Sequence, residues 1–247
     1  MAMPVMQQPG SKLHEAQAMP MQGMNPALAN LPPGLQYLAG LDEIVVHQIF
    51  EALEVVVGWE RNNRYNICNN QEQQVFFAKE DTDCCTRQFL GVIRPFEMMI
   101  TDNQGQQLIK LDRPCRCQGS CCWCCYLQEM DIQSPPGVVV GKIEEIWTCV
   151  TPKYVIKDGT GQVIFNILGD CCYCKCCTDV VFKIFEGETQ NNQIGEIIKH
   201  WGGCREIFGG VNDFRLKMPQ NLDIMKKIIL LGSLFLVDFM YFEHNKN

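Results

Sequence analysis

The sequence predicts a mainly β fold: a closed antiparallel barrel of about twelve strands wrapped around a C-terminal apolar helix. Three observations predict it. The longest apolar run is the last one, Ile228 to Phe242 (IILLGSLFLVDFMYF), and drawn as a helix it is apolar on every side, so it needs cover all round. Four upstream segments share a strand, polar turn, strand pattern. A larger unit also repeats: Gly141, Ile143 and Trp147 recur 54 residues on as Gly195, Ile197 and Trp201, and the same offset carries Cys117 onto Cys171 and Cys122 onto Cys176.

In chain order, residues 1–34 are rich in Met, Gln and Pro, lack apolar periodicity and end in Leu31-Pro32-Pro33-Gly34, the composition of a disordered tail. Its prolines offer a site to protein partners that read extended Pro-rich peptides. The folded domain is expected over residues 35–243. Leu41, Ile44, Val45, Ile49 and Leu53 recur at helical spacing, which predicts a short amphipathic helix with His47 beside its stripe. The four hairpins follow: Arg64–Phe77, Glu97–Leu111, Lys153–Phe165 and Val181–Ile197. After them VNDFRLKM reads as a strand, Pro219 as a break and Asn221 as the cap of the last helix, residues 224–242.

Along that helix Ile228, Leu231, Phe235, Asp238 and Phe242 sample its whole length. Fifteen residues from Ile228 rise about 22 Å, short of a hydrocarbon core of roughly 30 Å. Asp238 would add about 2.5–3.5 kcal/mol near mid-membrane. Length and charge therefore favour a helix buried in protein. The alternative is a single span with Lys226 and Lys227 on the cytoplasmic side and a short outer C-terminus.

The chain carries 21 basic and 28 acidic side chains, a net charge of −7, which argues against a nucleic-acid binder driven by bulk charge. The N-terminus MAMPVMQQPG has neither a basic n-region nor an apolar h-region, so no secretory signal is read there. Sixteen cysteines without such a signal point to a reducing compartment. They cluster. Cys115, Cys117, Cys121, Cys122, Cys124 and Cys125 form one group, and Cys171, Cys172, Cys174, Cys176 and Cys177 another. Zinc binding, S-acylation and plain packing are all open from the residues alone. No G-x-S-x-G, Gly-rich phosphate loop or H-E-x2-H occurs, and the histidines are only His14, His47, His200 and His244. Hydrolytic and redox enzymes are the weaker class. Asn212, Asp213, Asn221 and Asp223 offer oxygen donors for a calcium ion, although their spacing departs from an EF-hand.

Several stretches together resemble the phospholipid scramblase family: Pro32-Pro33-Gly34-Leu35, Glu80 to Arg87 (EDTDCCTR), Arg94-Pro95-Phe96, Cys121-Cys122-x-Cys124-Cys125, Gln133 to Gly137, Lys199-His200-Trp201 and Phe239 to Glu243. The resemblance covers residues 32–243. It implies a tubby-like barrel around a C-terminal helix, and ATP-independent, bidirectional, calcium-stimulated movement of phospholipids between leaflets. It also implies palmitate on Cys121, Cys122, Cys124 and Cys125, at the cytoplasmic face of the plasma membrane. Aligned on Phe214 and Pro219, the family's calcium loop meets Gly210, Asn212 and Asn221 where acidic ligands are usual, and Arg215 where Gly is usual. Calcium binding is expected to be weak, since affinity follows ligand charge. The family's nuclear-import segment falls on Gly195–Trp201, where Glu196 replaces a basic residue and weakens the expectation of nuclear entry. An acylated adaptor, signalling or lipid-binding protein without transport activity is the competing expectation.

Overall fold

The computed structural model describes residues 33–49, 62–83, 85–86, 90, 94–116, 127–170, 179–200 and 213–241. Within them a 3-10 turn, Pro33–Leu38, leads into twelve strands. These are β1 (Glu43–Gln48), β2 (Arg64–Asn69), β3 (Gln74–Asp81), β4 (Phe96–Asp102), β5 (Gln107–Arg113) and β6 (Glu129–Ser134), followed by β7 (Val138–Ile146), β8 (Lys153–Asp158), β9 (Val163–Gly169), β10 (Val180–Glu186), β11 (Gln193–Lys199) and β12 (Asp213–Lys217). One helix, α1 (Ile224–Tyr241), ends the described chain. Each strand pairs antiparallel with its sequence neighbour and β1 pairs with β12, so the sheet closes into a barrel with no free edge.

The predicted hairpins are β2–β3, β4–β5, β8–β9 and β10–β11, in that order. Period-2 alternation sends Phe96, Met98 and Ile100 of β4, and Tyr154 and Ile156 of β8, inward. The turns share one device. Asp102 Oδ1 accepts from the Gln104 and Gln106 amides at 2.9 and 2.8 Å, and Asp158 Oδ1 accepts from Thr160 and Gln162 at 2.9 and 3.0 Å. Each such turn then needs a left-handed residue, supplied by Gly105 (φ 81°) and Gly161 (φ 87°). The β2–β3 turn copies the pattern with Asn69 Oδ1, 2.9 Å from the Gln71 and Gln73 amides, but puts Glu72 (φ 60°) at the glycine position.

Helix α1 fills the barrel. Every residue from Lys227 to Met240 is buried, including Ile228, Leu231, Phe235 and Asp238; Phe242 lies outside the described residues. Two glycines set the close approach of helix and sheet. A Cβ on Gly141 would lie 2.7 Å from Ile229, and one on Gly232 would lie 2.8 Å from Ile132. No helix among the described residues is long and apolar enough to cross a membrane. Its burial corrects the single-span alternative: the barrel, not lipid, covers this apolar helix.

Two local expectations are also corrected. Residues 43–48 of the predicted helix Leu41–Leu53 form β1, and residues 50–53 lie outside the described part. The helical stripe passed over Val46, whereas Ile44 and Val46 together line the barrel interior, both 0 % exposed. Pairing on both sides, with β2 and β12, outweighs a weak local helix signal. The cap of α1 is Asp223 rather than Asn221: Asp223 Oδ1 accepts from the Met225 and Lys226 amides at 2.9 and 3.3 Å.

Candidate functional site

Antiparallel order gives the barrel two unlike ends. At one lie the tight turns at 70–73, 103–106, 135–137, 159–162 and 187–192, together with the start of α1. At the other are the strand ends that residues 49–63, 82–95, 114–128, 147–152, 170–179 and 200–212 join in sequence. Every cysteine except Cys68 falls in those second connections. Of these, Cys85, Cys115 and Cys149 are described, and all three are exposed free thiols.

The expected acylation residues Cys121, Cys122, Cys124 and Cys125 lie outside the described residues, as does the second cluster, Cys171 to Cys177. The stems that flank the first cluster are pinned to each other. Arg116 donates to the Leu127 carbonyl at 3.3 Å, Gln128 Nε2 donates to the Arg116 carbonyl at 3.1 Å, and Arg116 pairs with Glu129. On the neighbouring β7–β8 connection Trp147 is 50 % exposed and Val150 63 % exposed, beside Cys149. Apolar side chains of this size face water there without cover from the described residues.

At these strand ends the barrel is sealed by side chains. Arg94 grips Glu80 with two hydrogen bonds, 2.8 Å from Nε and 3.1 Å from a terminal nitrogen, and both side chains are buried. Thr82 Oγ1 and the Asn63 amide also donate to Glu80, at 2.9 and 3.1 Å. The Arg94 guanidinium lies 5.0 Å from the Phe239 ring centroid, Phe239 stacks on Phe96 at 4.0 Å, and Arg113 sits 5.6 Å from Phe96 on that ring's side. Arg113 donates to Gln128 Oε1 at 2.8 and 3.2 Å. Deeper still, the Tyr65 hydroxyl donates to Asp238 at 2.8 Å, which satisfies the acidic residue inside the apolar helix. Glu80, Thr82, Arg94 and Phe96 belong to two of the seven stretches that carry the resemblance, so these residues of the motifs build the barrel's seal.

The calcium expectations scatter. Asp213 accepts from His47 Nδ1 at 2.6 Å, Asp223 caps α1, Asn221 is exposed in the turn before the helix and Asn212 lies outside the described residues. Among the described residues the group of His, Cys, Asp and Glu close enough to share a metal ion is His47, Cys68 and Glu72. The sequence places His47 only beside an apolar stripe and gives it no partner. Its partners lie 25 and 166 positions away, so no spacing rule could have joined them. Burial pulls the His47 pKa down, but the hydrogen bonds to Asp213 and Glu72 outweigh it and the net shift is upward.

A closed barrel that holds its own C-terminal helix defines a class of β protein whose lumen is packed by that helix. The particular family follows from the comparisons. The Scramblase family model matches residues 21–244, and the chain belongs to that family. Human phospholipid scramblase 1 is 46 % identical over 87 % of this chain and 67 % of its own length. Bovine phospholipid scramblase 2 is 45 % identical over 87 % of this chain and 73 % of its own. Human phospholipid scramblase family member 5 is 38 % identical over 99 % of this chain and 89 % of its own. The barrel around a C-terminal helix is the architecture that the resemblance implied.

Proposed function

We propose that this protein moves phospholipids between membrane leaflets, in both directions and without ATP, from the cytoplasmic face of the plasma membrane. The observation that carries this reading is the family match across nearly the whole chain, with relatives named phospholipid scramblase covered over two thirds or more of their length. The sequence has no phosphate-binding loop for a nucleotide, in keeping with transport driven by the lipid gradient alone.

Because α1 fills the lumen, the lipid headgroup passes beside the barrel and not through it. The cysteine-bearing end is the membrane side in this proposal. Palmitate on Cys121, Cys122, Cys124 and Cys125 anchors it, each buried methylene contributing about 0.8 kcal/mol, so two or more chains hold durably. Exposed Trp147 and Val150 lie at the same end and would meet the headgroup region. Calcium is proposed as a weak stimulant of transport; since Asp213 and Asp223 stand at opposite ends of the barrel, no single site uses all four of Asn212, Asp213, Asn221 and Asp223. Protein partners would engage the Pro-rich tail.

Purified protein in liposomes containing a quenchable lipid probe tests the activity. Probe loss beyond the outer-leaflet half supports transport, and loss confined to that half overturns it. One observation favours the second reading, an acylated adaptor or lipid-binding module: a packed lumen offers no path of its own. That reading predicts vesicle binding without leaflet exchange. Hydroxylamine removes thioester-linked chains, and release of the protein from membranes would place the anchor on the cysteines.

A further inference from the structure

We propose that His47, Cys68 and Glu72 form a binding site for a divalent metal of the zinc class on the outer face of the barrel, with Asp213 as the positioning residue. The site is assembled by strand register. His47 on β1 lies between Asn66 of β2 and Asp213 of β12. Cys68 is two residues further along β2, on the same outer face as Asn66 and diagonal to His47, within side-chain reach. The β2–β3 turn brings in Glu72.

The histidine is already oriented as a ligand. Asp213 Oδ1 lies 2.6 Å from Nδ1, and a carboxylate there accepts the Nδ1 proton, leaving Nε2 as the coordinating nitrogen. Nε2 faces Glu72 Oε2 at 2.6 Å, and the Cys68 sulfur completes a set of three donor atoms all within 4.8 Å of one another. Tetrahedral zinc, with bonds of about 2.0–2.3 Å, needs donors about 3.3–3.8 Å apart. Glu72, with a side chain 55 % exposed, can swing by the ångström or less that this needs. On binding, the metal takes the place between Nε2 and the carboxylate that a proton would hold, and the thiol proton leaves to solvent.

Donor chemistry selects the metal. Thiolate, imidazole and carboxylate suit zinc, whereas calcium takes six to eight oxygens. A thiolate and a carboxylate balance the two positive charges, and a fourth position faces solvent. The backbone agrees: Glu72 stands at a left-handed position that two equivalent turns give to glycine, so strain is kept where its carboxylate meets His47.

Cadmium-113 NMR of the metal-free full chain tests the site, because cadmium replaces zinc and its shift reports the number of thiolate ligands. The expected result is one resonance typical of a single thiolate with nitrogen and oxygen donors, resolved from any multi-thiolate resonances of the cysteine-rich stretches. Cys68→Ser and His47→Gln should each remove that resonance alone. Glu72→Gln, on an exposed turn that leaves folding intact, should weaken cadmium there. Asp213→Asn should weaken it roughly 10–100-fold while leaving the one-thiolate shift in place, the signature of a positioning residue. A parent protein without the resonance, or a resonance that survives in folded Cys68→Ser or His47→Gln, overturns the proposal.

Discussion

The two ends of this barrel are closed by opposite means. At the hairpin end the closure is mostly backbone: Asx turns with left-handed residues, and Lys227, wholly buried, whose three N–H donors are shared among the carbonyls of Leu41 (2.6 Å), Gln220 (2.8 Å), Leu38 (3.0 Å) and Ala39 (3.2 Å). At the cysteine end the closure is side chain on side chain: the Glu80–Arg94 pair, the Phe96–Phe239 stack and Arg113 over it. A seal made by main-chain turns leaves no room for long insertions. A seal made by side chains at the strand ends does not draw on the connections between them, and in sequence those connections carry every cysteine but Cys68, along with exposed Trp147.

The strongest way to break this contrast is Arg94→Ala. It strands the Glu80 carboxylate in the interior, and such a loss costs about 3–5 kcal/mol. Urea unfolding should show it as a large fall in midpoint; a loss below about 1 kcal/mol would mean that the pair does not seal this end.

Lys227→Met at the opposite end should cost about 1–3 kcal/mol, because the buried Leu38 contact and the part-buried Leu41 contact lose their donor. This variant also has a pH signature. Burial lowers the Lys227 pKa, against the opposing pull of Asp42, so the folded state sheds this proton before the unfolded chain does. Stability therefore rises as pH climbs from the lowered value towards the ordinary 10.5. Denaturation across that window should show the rise in the parent and its loss in Lys227→Met.

Tyr65→Phe should cost about 1–2 kcal/mol by removing the hydroxyl that serves buried Asp238, and Asp238→Asn in the same background should return part of it. Calorimetric melting of the two variants checks the order. Smallest in stability is Trp147→Ser, expected within about 0.5 kcal/mol because the side chain is half exposed. It sharpens the comparison through sedimentation with lipid vesicles, where binding should fall. An equal fall for Tyr37→Ser, whose exposed ring lies in the Pro33–Leu38 turn at the hairpin end, would show that the ends do not differ in membrane contact.

Much of the barrel was legible in the chain. The β4–β5 and β8–β9 hairpins announce themselves through Asp102 with Gly105 and Asp158 with Gly161, since a left-handed turn residue and flanking alternation are local properties. Strand β1 was not legible, because six residues with Ile44, Val45 and Val46 suit either period until neighbours on both sides supply hydrogen bonds. Of the candidate sites, the cysteine clusters were visible by density alone. The His47 group was invisible, since register across β2, β1 and β12 assembles it.

By itself the sequence determined that the last helix must be covered on every side, that about twelve strands alternate around something, and that cysteines cluster. These are properties of composition and short-range period. Tertiary structure alone decided what covers the helix. An all-round apolar face by itself suits lipid or protein, and length and charge only tilt the choice; here the segments before β1 and after β12 give Lys227 its carbonyls, the sheet gives Asp238 its tyrosine and Gly141 and Gly232 pack at the helix–sheet contact, and a bilayer core has none of these to offer.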